Sequence, residues 1–124
     1  MQHSGNKLSP CPSSPNCVSS LAVDRKHSIK PLKFSGSRDE ARQKLLSILE
    51  KQKKVRVTRS ETEYIHAEFR SLIFQFVDDV EFLFAEEGNI IHIKSASRVG
   101  YSDLGANRRR VERIRSDFES RSIQ

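Results

Sequence analysis

The sequence predicts an α+β fold: a four-stranded antiparallel meander with two helices packed on one face, in the order α-β-β-β-β-α, behind an irregular N-terminal arm. Three observations carry this expectation. A capped amphipathic segment starts at Ser37, four segments of alternating polarity lie between Val55 and Ser95, and a second amphipathic segment runs from about Leu104 to Ser120.

Residues 1–36 contain all four prolines together with many Ser and Asn, and show no helical period, so they read as an arm ahead of a domain at 37–124. Within the arm, Ser28 to Phe34 can add a short edge strand, where a proline such as Pro31 is tolerated. The first helix follows from Ser37-Arg-Asp-Glu40, a capping-box pattern, with Ala41, Leu45, Ile48 and Leu49 at helical spacing, and should run to about Lys51. Alternation then marks strands at Val55 to Ser60, Tyr64 to Ser71, Asp79 to Glu86 and Ile90 to Ser95, separated by turn residues at 60–63 and 86–89. Leu72-Ile-Phe-Gln-Phe-Val77 is apolar enough to cover a sheet edge or to extend a strand. The last helix should begin near Leu104 to Asn107 and present Leu104, Val111, Ile114 and Phe118 as one stripe.

Period two divides the sheet. Val55, Val57, Ile65, Ala67, Phe69, Val80, Phe82, Phe84, Ile91 and Ile93 face the helices, whereas Arg56, Thr58, Tyr64, His66, Glu68, Arg70, Asp79, Glu81, His92 and Lys94 occupy the other face. A polar outer face is what a half-solvated antiparallel sheet normally shows.

Composition narrows the functional classes. The net charge of +6 is segregated: residues 1–36 carry five bases and one acid, whereas residues 61–87 carry eight acids and one base. The two signs can neutralise each other within the fold, and basic stripes interleaved with stacking aromatics are missing, which argues against nucleic acid as the main partner. Apolar runs such as Leu72-Ile-Phe are far short of the roughly 20 residues that span a bilayer. The first residues lack the apolar core of a secretory signal, so the chain as written reads as cytoplasmic; an export segment ahead of it would place it in the periplasm or envelope.

Cys11 and Cys17 lie in Cys-Pro-Ser-Ser-Pro-Asn-Cys, which fits neither a Cys-x-x-Cys redox helix nor a complete zinc site. A local disulfide and two reduced cysteines in a packed loop are both open.

The richest chemistry lies in Ser95-Ala-Ser-Arg-Val-Gly-Tyr-Ser-Asp-Leu-Gly-Ala-Asn-Arg-Arg-Arg110, where a strand gives way to a helix. Ser102 or Asp103 can cap that helix, but Arg108, Arg109 and Arg110 oppose its dipole, so something negative should compensate. An internal carboxylate from Asp78, Asp79 or Glu81 can do so, as can a bound anion, since arginine grips either in bidentate fashion. Asp78, Asp79 and Glu81 form a poor set for a divalent cation, and no metal or other cofactor is expected. His66 and His92 could adjoin if their strands come together. No nucleophile elbow, phosphate loop, His-Glu-x-x-His or dinucleotide fingerprint occurs, so no catalytic motif marks the chain as an enzyme.

Cys11 to Ser20, Phe76-Val-Asp-Asp-Val-Glu-Phe82 and the block from Ser95 to Arg110 together resemble the family known as domain of unknown function 1499, from about Leu8 to Phe118. The resemblance implies no particular activity. Many family members carry a signal or membrane segment ahead of the domain, which the resemblance would extend to an exported setting. It also groups the cysteine arm, the Asp-Asp block and the arginine block, implying that they meet in space.

The functional expectation is a small non-enzymatic ligand-binding or interaction domain in which Arg98, Tyr101, Asn107 and Arg108 with Asp78 and Asp79 line one polar pocket, for a small anionic ligand or a protein partner. Two alternatives are a hydrolase or transferase using Asp79 or Glu81 with Arg98 or Arg108, and a purely structural ion-pair signature in an assembly protein.

Overall fold

The computed structural model describes residues 8–71, 76–100 and 103–120. In chain order the elements are β1 (Cys17–Ser19), β2 (Leu32–Lys33), α1 (Arg38–Glu50), β3 (Val55–Ser60), β4 (Tyr64–Arg70), β5 (Val77–Phe84), β6 (Ile90–Ser97) and α2 (Ala106–Ser120). The fold is α+β with an antiparallel sheet and two helices, but the sheet is larger than the expected four strands.

The order is β1-β6-β5-β4-β3, and β2 also pairs with β6. The meander of β3 to β6 is present as read. What was missed is that the arm supplies two more antiparallel partners along β6: Cys17–Ser19 opposite Lys94–Ala96, and Leu32–Lys33 opposite Ile90–Ile91. Strands of three and two residues are too short to display a period. The edge segment expected between Ser28 and Phe34 is represented by β2.

α1 forms where its capping box indicates: the Glu40 amide donates to Ser37 Oγ and the Ser37 amide to Glu40 Oε1. Its Ala41, Leu45, Ile48 and Leu49 are buried against a core that includes Ile65, Ala67, Val80, Phe82, Phe84, Ile91 and Ile93 from the sheet and Val111, Ile114 and Phe118 from α2. Val55, Val57 and Phe69 pack against that core from its margin. Every one of these sheet residues lies on the face assigned to the helices by alternation.

β5 begins two residues earlier than read, at Val77, without a change of phase. Of the apolar run before it, residues 72–75 lie outside the described residues. Leu104 does not join the α2 stripe. It precedes the helix with a positive φ of 55° and is 84% exposed, and Gly105 follows at φ 82°. Asp103 caps this turn instead: its carboxylate accepts from the amides of Gly105 at 2.8 Å and Asn107 at 3.0 Å. Ser102, the other capping candidate, is outside the described residues.

Candidate functional site

Asp78 and Asp79 are consecutive on β5, and a strand directs consecutive side chains to opposite faces. Asp78 points under α2, where its carboxylate meets Arg110 at 2.8 Å, with both side chains largely buried. Asp79 points to the outer face, where it binds Arg98 Nε at 2.8 Å and His66 Nε2 at 2.8 Å. The expectation that both line one pocket is therefore corrected by the pleat of the strand.

The outer-face group is a continuous network. Arg98 also reaches Glu68 at 2.8 Å, and the Thr58 hydroxyl lies against His66 Nδ1. The Arg98 hydrogen bonds, and then those of His66, hold the Asp79 carboxyl below its ordinary value; Asp79 and then Glu68 raise that of Arg98. Glu81, the other carboxylate considered as a base, accepts from the Tyr64 hydroxyl. His92 does not pair with His66. Its Nδ1 instead faces Ser20 Oγ at 3.1 Å, and burial lowers its pKa.

Arg108, Arg109 and Arg110 go to three different places, because successive helical residues point about 100° apart. Arg108 donates to the carbonyls of Ser28 at 2.8 Å and Lys26 at 3.1 Å in the arm. Arg109 donates to the Leu104 carbonyl at 2.9 Å. Arg110 binds Asp78 and Asn107 Oδ1, with its guanidinium over the Phe69 ring at 5.0 Å. Two turns after Arg108, Arg115 repeats its behaviour and donates to the carbonyls of Pro31 and Lys30, each at 2.7 Å.

Asn107 is the hub of the block. Fully buried, it accepts from Ser95 Oγ at 2.6 Å and donates to the Asn16 carbonyl at 3.2 Å, Ser97 Oγ at 3.0 Å and Asp103 Oδ2 at 2.6 Å. Asn16, next to Cys17, returns an amide hydrogen bond to the Gly100 carbonyl at 2.7 Å. Tyr101 lies outside the described residues. Of the remaining expected site residues, Arg98 and Asp79 come together, whereas Asp78, Asn107 and Arg108 serve the helix side and the arm.

A family model described as "Protein of unknown function (DUF1499)" matches residues 7–118. The chain belongs to this family. No curated protein matches it. The three blocks that suggested the DUF1499 resemblance do meet: Asn107 joins the arm at Asn16, Arg110 joins Asp78, and Arg98 joins Asp79.

In this DUF1499 domain the arm also bears a disulfide between Cys11 and Cys17, whose Cα atoms are 5.7 Å apart. It borders a cavity of about 270 Å³ lined by Leu8, Pro10, Cys11 and Ser19 with the 21–24 turn. Within the same arm, His27 bridges Asp24 Oδ2 at 2.6 Å and the Ser14 carbonyl at 2.8 Å. Sequence reasoning named Asn107 and Arg108 but passed over Asn16, Ser95 and Arg115. Their only signal was spacing: Arg115 lies seven residues after Arg108, on the same face of α2.

Proposed function

We propose that this DUF1499 domain is a non-enzymatic binding and interaction module in which Arg108 and Arg115 form an internal clasp between α2 and the arm, while Arg98 and Arg110 pair with carboxylates of the sheet. One observation carries the reading: Arg98, Arg108, Arg110 and Arg115 each direct their guanidinium groups at acceptors within the chain. A guanidinium has five N–H donors and no acceptor, so bidentate partners such as these answer much of its recognition capacity. Asp79 and Glu81 are likewise engaged, by Arg98 and Tyr64, which favours binding over acid–base turnover.

The test is a thermal-shift screen with inorganic phosphate, small carboxylates and anionic lipid headgroups, on the unaltered protein and on Arg98→Ala and Arg108→Ala. The clasp reading expects no saturable stabilisation by the anions, and a lowered Tm for Arg108→Ala without any ligand. Saturable stabilisation by phosphate that disappears in either variant would replace it with an anion site at the expected residues.

A further inference from the structure

The meander is charged differently at its two ends. The turns after β3 and β5 carry Glu61, Glu63, Glu86 and Glu87. At the other end one row crosses the strands: the Arg70 amide donates to the Lys54 carbonyl at 2.9 Å, Arg70 pairs with Val77, and the Arg98 amide donates to the Val77 carbonyl at 3.2 Å. The carboxylates around this row are engaged, Glu68 and Asp79 by Arg98, Asp78 by Arg110, and Asp103 by the cap of α2. Glu50, at the end of α1, is outnumbered by Lys51, Lys53 and Lys54. Lys53, Lys54 and Arg70 are exposed and, among the described residues, have no ion-pair partner. The exposed Arg109 donates to the Leu104 carbonyl, an uncharged acceptor that leaves its charge in place.

Exposed apolar side chains gather at the same end. Phe76 precedes Val77 and Val99 follows Arg98, so both adjoin the bonded pair that completes the row, and they are 53% and 56% exposed. The Gly100 carbonyl accepts from the Asn16 side chain, and the Asn16 carbonyl accepts from Asn107, which brings the Leu104 turn to this end as well. Leu104 is 84% exposed and holds a φ of 55°, a left-handed conformation that Gly and Asn adopt readily and bulky residues rarely do. Folding gains little from a leucine placed there in solvent.

We infer that this end of the sheet docks on an anionic phospholipid surface, with Phe76, Val99 and Leu104 entering the headgroup layer and Lys53, Lys54, Arg70 and Arg109 lying at its phosphates. Unneutralised cations around separate apolar tips complement such a surface, which takes up apolar side chains beneath charged headgroups. Nucleic acid would reward stacking rings and has no use for an exposed leucine and valine. The acidic end of a second copy offers charge, but among the described residues it has no exposed large apolar side chain to meet these three. The surface goes beyond the clasp, since it uses neither Arg108 nor Arg115 and needs no pocket for a single headgroup.

The test is flotation of the full chain with vesicles of phosphatidylcholine mixed with phosphatidylglycerol, against vesicles of phosphatidylcholine alone. Binding should require the anionic lipid and weaken as salt is raised. Each cation near the surface contributes about fivefold, so Lys54→Gln with Arg70→Gln should lower the partition coefficient about 25-fold. Leu104→Asn suits the left-handed backbone, so it should keep the Tm while weakening vesicle binding about tenfold. Failure to float with anionic vesicles, equal binding to neutral ones, or full binding by Leu104→Asn overturns the inference. So does preferential binding to duplex DNA, or a dimer that forms through this end and excludes vesicles. Each of these results leaves the clasp standing, because that reading depends on Arg108 and Arg115.

Discussion

Replacing Asn107 by alanine examines the block where its connections are densest. The side chain is fully buried; of the partners left behind, the Asn16 carbonyl keeps the Ser97 amide at 3.0 Å, whereas the wholly buried Ser95 hydroxyl loses the acceptor for its proton. A buried group deprived of its partner costs about 1–3 kcal/mol, so the loss should be about 2 kcal/mol. Ser97 and Asp103 are less buried and recover water, and Arg110 keeps its Asp78 partner, so these add little. For a chain of this length about 1 kcal/mol corresponds to about 4 °C, which places the fall in Tm at about 8 °C. Urea unfolding followed by circular dichroism gives the free energy, and a cycle with Ser95→Ala isolates the pair. Because Ser95→Ala removes the group that Asn107→Ala orphans, the double variant should be less destabilised than the sum of the singles. A loss below about 1 kcal/mol for Asn107→Ala, or strict additivity in the cycle, would refute the hub.

Three further outcomes follow from the same contacts. Asp78→Ala leaves the Arg110 guanidinium without its carboxylate in a largely buried setting and should cost about 3 kcal/mol in urea unfolding, most of which Arg110→Met added to it should recover. Asp79 titrates below its ordinary value near 3.8 in the folded chain, so its contribution is present above that value and lost as pH falls through the lower, folded one; Tm should drop in that acid window, and Arg98→Ala should flatten the drop. Converting Cys11 and Cys17 to serine opens a link between positions six residues apart, a loss of about 2 kcal/mol in chain entropy, with faster hydrogen exchange in residues 8–24 and unchanged protection in β4 and β5.

The long elements were legible because each carries a signal repeated several times. Ser37 and Glu40 marked the start of α1, and the alternation of Ile65, Ala67, Val80, Phe82, Ile91 and Ile93 placed the inner face of the sheet. The arm was not legible in the same way, since Cys17–Ser19 and Leu32–Lys33 owe their extended form to β6, a partner more than fifty residues away in sequence. The candidate site shows the same division. That arginines near the start of α2 would need acceptors was evident from the helix dipole. Which acceptor each would take was not, because Arg108 and Arg115 bind backbone carbonyls, which every residue possesses and no sequence pattern marks. The joint assignment of Asp78 and Asp79 to one pocket also disregarded an available constraint, for the alternation that placed Val80 inside already places Asp78 inside and Asp79 outside.

Hydrogen exchange in Arg108→Ala tests the clasp most directly. The relevant amides are those of Ser19, Ser28 and Ile29, which are bonded to the His27, Asp24 and Ser19 carbonyls beside the Arg108 contacts. The account predicts that these amides exchange faster in Arg108→Ala while those of β4 and β5 keep their protection. Unchanged exchange across residues 17–33 would contradict it, leaving Arg108 free for some other partner.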